Sequence, residues 1–522
     1  MPGGPPEKPA GDHGGGDPHD GRPGHGEPPA WAVHLPDGMD PAGVDLLAGR
    51  SLAAAWGRLA AAEPRRPVLW QAERGWRTRG ELDEASRVVA ARLHRAGLRP
   101  GDRLACSAAS SLEVVVVHLA ALRLGLVMVP ANPAYSEREL AHLVGDAEPR
   151  AAVVDDPSRA ASVRRAGGGD VLLLSPDVEL PEGNAPALDQ AGPDDPALIC
   201  YTSGTTGAPK GALLSHGNLL AGAESVRLAW RWSADDRLVL TLPLFHVHGL
   251  AVGLHGTLLA GASAVLLPRF DADAVLDTVR DHGASLFFGV PTMYARLAAS
   301  PRVAELGRLR LCVSGSAPLP SALFERLAEQ CGQRVLERYG MTETLMNVSN
   351  PYQGERRPGT VGLPLPGVEL RLSAEGEVLL RGPNVFAGYW RDPDATAAVL
   401  DPDGWLSSGD LGRLDEHGYL RIEGRSKELV ITGGYNVHPR EVEEVLQAHP
   451  GVAEAAVTGT PSEEWGEVVT AWVVPAGPPP EQEELLAFAA ERLAPYKRPR
   501  LLRFLDALPR NALGKVQRHE LR

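Results

Sequence analysis

The sequence has little cysteine, no long apolar run and no excess of positive charge, and each shortage closes off a class of function. Four cysteines in 522 residues, Cys106, Cys200, Cys312 and Cys331, are scattered without CxxC pairing. Three sit in apolar or strand-like text (LACSAA, ALICYT, RLCVSG) and read as reduced core residues of a cytoplasmic protein, not as a disulfide framework. No apolar stretch approaches the ~18 residues of a membrane-spanning helix. The N-terminus lacks the charged-then-apolar order of a secretory signal. Lys and Arg total 52 against 66 Asp and Glu, a formal charge of −14. Nothing basic therefore dominates to attract a nucleic-acid backbone, although a local cationic site for a nucleotide is compatible with that balance. No solenoid period is present either.

What the chain does contain is a globular composition, 43% hydrophobic and 23% charged, at a length that predicts about three domain-sized units. Residues 1 to about 29 are mostly Gly, Pro, His, Asp and Glu, with almost nothing to bury, and predict a disordered tail extending to residue 45. Its His13, His19 and His25 read as solvated side chains. From about Leu46, short β-rich runs alternate with helical stretches, as in DRLACSAA, EVVVVHLAALRLG and LVMVPAN. That rhythm is the signature of an α/β fold with largely parallel sheets. After about Gly359, short strands separated by Gly, Pro and Asp turns suggest a small antiparallel or barrel-like part. Beyond Gly424 a compact α+β unit is expected, with helices over PREVEEVLQAHP and from about Gln482 to Leu493.

The densest signal is Tyr201-Thr202-Ser203-Gly204-Thr205-Thr206-Gly207-Ala208-Pro209-Lys210-Gly211, after the apolar strand PALIC and before LLSHGNLL, which reads as a helix start. Its glycines let the backbone turn tightly, so that amides and clustered hydroxyls can face phosphate oxygens. Lys210 adds a positive charge for the leaving phosphates. The spacing from Gly207 to Lys210 is not that of a Walker A loop. Ser, Thr and Gly also fill ordinary loops, but eleven residues in this order are a specific motif.

This segment resembles the phosphate-binding motif of the adenylate-forming superfamily of acyl-CoA synthetases, non-ribosomal adenylation domains and luciferases. The resemblance continues in order through everything after the tail. It implies a large AMP-binding domain over 46–424, a hinge at 425–427 around Lys427, and a small mobile C-terminal domain over 428–522. ATP, Mg²⁺ and coenzyme A are the implied cofactors, with a small carboxylic acid as substrate. Gly315, Ser316 and Ala317, in GSAPL, are similar to the segment that contacts adenine and acyl group, though alone they are equally a strand-to-turn sequence. In Tyr339-Gly340-Met341-Thr342-Glu343-Thr344, the resemblance implies that Tyr339 stacks on adenine, Thr342 contacts phosphate and Glu343 holds Mg²⁺, an ion that prefers hard oxygen ligands. Asp410 matches the ribose-binding aspartate and Arg425 the arginine on ribose and phosphate. Gly433-Gly434-Tyr435 resembles the loop that lines the thiol tunnel after the small domain rotates. Lys515 matches the lysine that reaches the carboxylate and the α-phosphate.

Three stretches, LFHVHGL with His246, FGVPTMYARL with Arg296, and ERYGMTETLMN with Met346, are similar to the malonyl-CoA synthetase branch. There an arginine in the position of Arg296 binds the second carboxylate, a role that suits a bidentate guanidinium. By spacing alone Arg296 is equally a surface residue of its helix. GYNVHP reads like general acyl-CoA synthetases, so another short or aromatic acid stays open. So do a free-standing acyl carrier protein as acceptor, a luciferase-like reaction and a non-catalytic ATP-binding relative.

Overall fold

A computed structural model describes residues 28–521 apart from 168, 182, 185, 203–208 and 512–513. The expected tail over 1–27, and Ser203, Gly204, Thr205, Thr206 and Gly207 of the phosphate loop, lie outside the described residues.

Two mainly parallel sheets make up the large domain. In the first, strands Leu336–Tyr339, Leu311–Ser314, Leu286–Gly289, Arg237–Leu240, Ser263–Leu266 and Pro67–Gln71 run parallel in that order, with short antiparallel strands at both edges. In the second, Pro196–Tyr201, Val127–Pro130, Arg103–Ser107, Ala151–Val154 and Leu172–Leu174 are parallel, and Gly211–Ser215 returns antiparallel on Pro196–Tyr201. Strands such as AAVV and LCVS are buried on both faces, which is why they read as continuous apolar runs without alternation. Helix Leu112–Leu124 is apolar almost all round and correspondingly buried, with Ser111 capping its start and Gly125 closing it at φ 76°.

Four antiparallel strands follow, Glu369–Leu372, Glu377–Arg381, Leu406–Leu414 and Leu420–Arg425. They are the small antiparallel part expected from their Gly, Pro and Asp punctuation. A five-stranded sheet then begins at Val430–Thr432. Helices Pro439–Gln447 and Gln482–Ala490 pack on it through Val442, Leu446, Leu485 and Ala489.

One expectation is corrected. The tail boundary at residue 45 overshoots, because residues 30–46 dock on the body: Leu35 and Leu46 are buried with Ala221 and Leu228, and Trp31 packs against them. His34 is buried there too, its Nε2 3.2 Å from the Leu363 carbonyl. These few apolar residues follow no helical or strand period, so the Pro/Gly-rich composition masks them. LLSHGNLL is a helix start, as expected: strand Gly211–Ser215 ends in it and helix His216–Ala229 follows Ser215, which forms a capping box with Asn218. All four cysteines are free, and Cys106, Cys200 and Cys312 are buried. Among the described residues no helix is long and apolar enough to cross a membrane.

Candidate active site

Strand register builds the first part of the site. Asp410 lies opposite Arg425 in the antiparallel ladder, and Arg425 Nε stands 3.0 Å from Asp410 Oδ1. The other carboxylate oxygen, Oδ2, accepts from the Tyr339 hydroxyl at 2.5 Å. Tyr339 ends a strand of the nine-stranded sheet, so this bond ties that sheet to the four-stranded one. Burial, reinforced by Asp410, pushes the Tyr339 phenol well above its ordinary range. Lys515 arrives from the C-terminal unit on a tight turn, in which the Asn511 amide donates to the Lys515 carbonyl at 2.9 Å. Gly514 takes φ 75°, and a Cβ there would come 2.8 Å from Thr292 Oγ1, so the turn is pressed against helix Pro291–Ala298 of the large domain. Burial, then the Arg425 guanidinium, lowers the pKa of the Lys515 ammonium, while Glu428 and Asp410 oppose the shift. Lys515, Arg425, Asp410 and Tyr339 therefore form one cluster.

The phosphate end is assembled from a hairpin and two crossing segments. Thr202 N–H donates to the Lys210 carbonyl at 2.9 Å, which pinches the two ends of the glycine-rich loop together. Tyr201 donates to Asp146 Oδ2 at 2.5 Å, and His142 Nε2 lies 2.8 Å from the Pro209 carbonyl. Lys210 Nζ stands 5.1 Å from the centre of the Tyr389 ring, and the Tyr389 hydroxyl donates to Glu343 Oε1 at 2.9 Å. Tyr389 thus bridges the two charged residues; the sequence reading missed it, and nothing in FAGYWRD marks it. Gly340 has no room for a side chain, since a Cβ would fall 2.0 Å from the Leu345 carbonyl. Buried Asn384 holds the following turn by donating to the Thr344 and Met346 carbonyls at 2.7 and 3.1 Å. Met341 and Thr342 lie between Tyr339 and Glu343, partly exposed. Among the described residues no group of three or more His, Cys, Asp or Glu forms a metal cage. Mg²⁺ does not need one, because it is held by one or two carboxylates together with substrate phosphates and water. Glu343, a buried carboxylate with one oxygen committed to Tyr389, fits that requirement.

At the acyl end, Gly315, Ser316 and Ala317 leave strand Leu311–Ser314. Ser316 takes φ 68°, a conformation that L side chains rarely adopt and that is often retained where function requires it. Its Oγ lies 3.2 Å from His248 Nδ1, and His246 Nδ1 accepts from the His248 amide at 3.3 Å. Burial holds both imidazoles neutral, pushing His246 down to about 4 and His248 well below its usual value. Met346 packs beside Gly340. Arg296 does not belong to this buried group. It is exposed, with its guanidinium over the Phe270 ring at 4.9 Å. The helix buries Tyr294, Leu297 and Ala298, and helical spacing turns 296 to the other side. The buried cation of this region is Arg338, 5% exposed, which the sequence reading left unassigned.

Lys427 is exposed in the short turn Ser426–Glu428. Gly433 and Gly434, at φ 57° and 82°, form a two-residue hairpin turn between Thr432 and Tyr435. Tyr435 is 58% exposed and stacks on Tyr496 at 4.7 Å, outside the Lys515 cluster.

Residues 57–390 match the AMP-binding enzyme family, and residues 441–515 match the AMP-binding enzyme C-terminal domain. The chain belongs to this family. Its curated relatives include feruloyl-CoA synthase of an Amycolatopsis species, 38% identical over 467 residues that cover 85% of this chain and 93% of that one. The malonate–CoA ligase of Arabidopsis thaliana is 35% identical over 476 residues, covering 82% and 78%. The crystal structure of ATP-bound MatB from Rhodopseudomonas palustris aligns with a TM-score of 0.86 at 41% identity, covering 90% of this chain and 98% of that one. Apo MatB from the same organism aligns at 0.76. As a member of the AMP-binding family, the chain is an ATP-dependent acyl-CoA ligase that uses a small carboxylic acid, ATP and coenzyme A.

Proposed function

We propose that this acyl-CoA ligase activates malonate or methylmalonate as an acyl-adenylate and passes the acyl group to coenzyme A in the cytoplasm. The observation that carries adenylation is the convergence of Lys515 from the C-terminal unit with Asp410, Arg425 and Tyr339 from the large domain. Malonate is supported by the similarity to the Arabidopsis malonate–CoA ligase and to MatB, a malonyl-CoA synthetase.

A free carboxylate is a poor acyl donor because oxide is a poor leaving group. In the first step one carboxylate oxygen forms a bond to the α-phosphorus of ATP, and the bond from that phosphorus to the bridging oxygen breaks, releasing pyrophosphate. Lys515 neutralises the negative charge where the carboxylate meets the α-phosphate, and Lys210 does so for the departing phosphates. Arg425 and Asp410 hold the ribose, with Asp410 accepting from its hydroxyls; Tyr339 lies along the adenine and Thr342 contacts phosphate. Mg²⁺, when bound at Glu343, supplies charge neutralisation to the phosphate oxygens. In the second step the sulfur of coenzyme A attacks the acyl carbon, the thiol proton is lost and AMP leaves. Rotation about Lys427 exchanges the Lys515 turn for the Gly433–Gly434–Tyr435 turn between the steps, a domain-level gate.

The test is acid-dependent release of AMP across malonate, methylmalonate, acetate, a medium-chain acid and ferulate, with coenzyme A and a holo-carrier protein compared as acceptors. The reading expects turnover of the malonates with coenzyme A. Inert malonates alongside an active uncharged acid would overturn the substrate assignment.

A further inference from the structure

We propose that His142 and Asp146, one turn apart on helix Glu137–Ala147, are positioning residues for the β- and γ-phosphates of ATP, because they fix both ends of the glycine-rich loop. The assignment rests on the reading of that loop and Lys210 as the phosphate site. The ladder between strands Pro196–Tyr201 and Gly211–Ser215 ends at the pair Tyr201 and Gly211, and the Thr202–Lys210 backbone bond closes the neck beyond it. Pro209, at the loop's exit, has no N–H, so its carbonyl is the main-chain group by which it can be held.

The helix is a firm base for such a clamp. Ser136 and Glu139 form a capping box at its start. Leu140, Leu143, Val144 and Ala147 pack in one buried cluster with Val129 and Ile199 of the sheet. Helical spacing sets residues 142 and 146 one above the other. His142 Nε2 lies 2.8 Å from the Pro209 carbonyl, which accepts, so Nε2 carries the proton and donates. Asp146 takes the other end of the loop, its Oδ2 accepting from the Tyr201 hydroxyl at 2.5 Å. Burial, reinforced by Asp146, pushes the Tyr201 phenol above its ordinary range and keeps it the donor. The His142 and Tyr201 rings meet edge to face at 6.0 Å, so each anchor supports the other.

The same end of the helix also registers the loop against Tyr389. The Asp146 carbonyl accepts from Trp390 Nε1 at 3.1 Å, and the Trp390 amide donates to the Gly211 carbonyl at 2.7 Å. Tyr389, one residue earlier, is the ring beside Lys210 and the donor to Glu343. Just beyond, Glu148 and Arg391 pair at 2.7 Å, and both hold positive φ, 45° and 53°, which their surroundings must enforce. The loop ends and Tyr389 belong to the seven-stranded sheet, whereas Tyr339, Asp410 and Arg425 stand on the nine- and four-stranded sheets. Loosening the clamp therefore displaces the groups that face the outer phosphates and leaves the adenosine end in place.

The experiment measures dissociation constants for ATP with Mg²⁺ and for AMP by calorimetry, without acid or coenzyme A, with melting curves alongside. It compares wild type with His142→Phe, His142→Gln, Tyr201→Phe and Lys210→Ala. His142→Phe keeps a ring without the donor, and Tyr201→Phe loses the hydroxyl alone. Each is expected to weaken ATP binding about five-fold, the effect of one hydrogen bond, and to leave AMP binding unchanged. His142→Gln, whose amide N–H reaches the place of Nε2, is expected to restore ATP binding. A residue that supports only the fold would move ATP and AMP together. The proposal is overturned if the two ligands weaken together, if neither weakens, or if His142→Gln behaves like His142→Phe. Should His142→Phe melt well below wild type, Tyr201→Phe decides by the same criteria. With Lys210→Ala weakening ATP and not AMP, each of these results leaves the phosphate-loop reading standing. Lys210→Ala that fails to separate ATP from AMP removes that reading, and the roles of His142 and Asp146 with it.

Discussion

Lysine is scarce in this chain, five residues against 47 arginines. Three of the five, Lys210, Lys427 and Lys515, fall in motif positions, and Lys497 pairs with Glu441 at 2.7 Å. In such a sequence a lysine is itself a signal, since a compact, mobile ammonium is retained where arginine serves nearly everywhere else. Lys515→Ala is expected to lower adenylation by at least ~100-fold, the range for removing one stabilising group at a developing charge. Thioester formation from supplied acyl-adenylate should be largely spared; equal loss of both half-reactions would contradict the assigned role. Tyr389→Phe removes one hydrogen bond from Glu343, worth about 1 kcal/mol. It is expected to raise the Mg²⁺ concentration for half-maximal rate about five-fold, read from a Mg²⁺ titration at fixed ATP. Asp410, Arg425 and Glu343 were legible in the sequence because each stands inside an ordered motif. Arg338 was not, because ERYG places it beside a second charged residue, and the structure buries both, Glu337 at 4% and Arg338 at 5% exposed.

Among the elements, the parallel sheets were legible as continuous apolar runs, and the antiparallel part as short strands between turn residues. What the helices bury was harder to read. Helices Leu112–Leu124, His216–Ala229 and His255–Leu259 bring His118, His216 and His255 together in the core. His118 Nε2 lies 2.8 Å from His255 Nε2 with the rings stacked at 5.0 Å. Burial lowers all three, His118 to about 3 and His216 to about 4; neighbouring histidines depress His118 and His255 further, whereas Asp195 opposes the shift of His216. The unfolded chain takes up these protons near pH 6.5, whereas the folded one does so only near pH 4 or below. Their contribution is therefore fully present above pH 6.5 and is lost as the pH falls toward 4, by on the order of 1.4 kcal/mol per pH unit for each histidine. Urea unfolding at pH 7.5 and 5.5 should show this loss. His118→Gln should reduce the difference by about 1.4 kcal/mol. An unchanged difference in the variant would contradict the assignment.

For the whole molecule, ion pairs at the edge of the four-stranded sheet tie the C-terminal unit to the large domain. Glu444 of helix Pro439–Gln447 pairs with Arg421 of strand Leu420–Arg425 and with Arg440 at 3.0 Å. Arg440 also donates to the Ile422 carbonyl. These groups are partly exposed, so the pair is worth at most about 1 kcal/mol. Glu444→Gln is expected to slow adenylation no more than about five-fold and to leave the thioester step unchanged; equal slowing of both would contradict a role specific to this arrangement. The proposed two-conformation cycle was not legible from residue patterns, because patterns describe one packed state. It enters through the resemblance, and the better alignment with ATP-bound than with apo MatB agrees with a docked Lys515. The most direct measurement of carboxylate activation is malonate-dependent exchange of labelled pyrophosphate into ATP without coenzyme A. Exchange by wild type that disappears in Lys515→Ala is the predicted result. No exchange with any acid, or AMP formation only when coenzyme A is present, would contradict the acyl-adenylate mechanism.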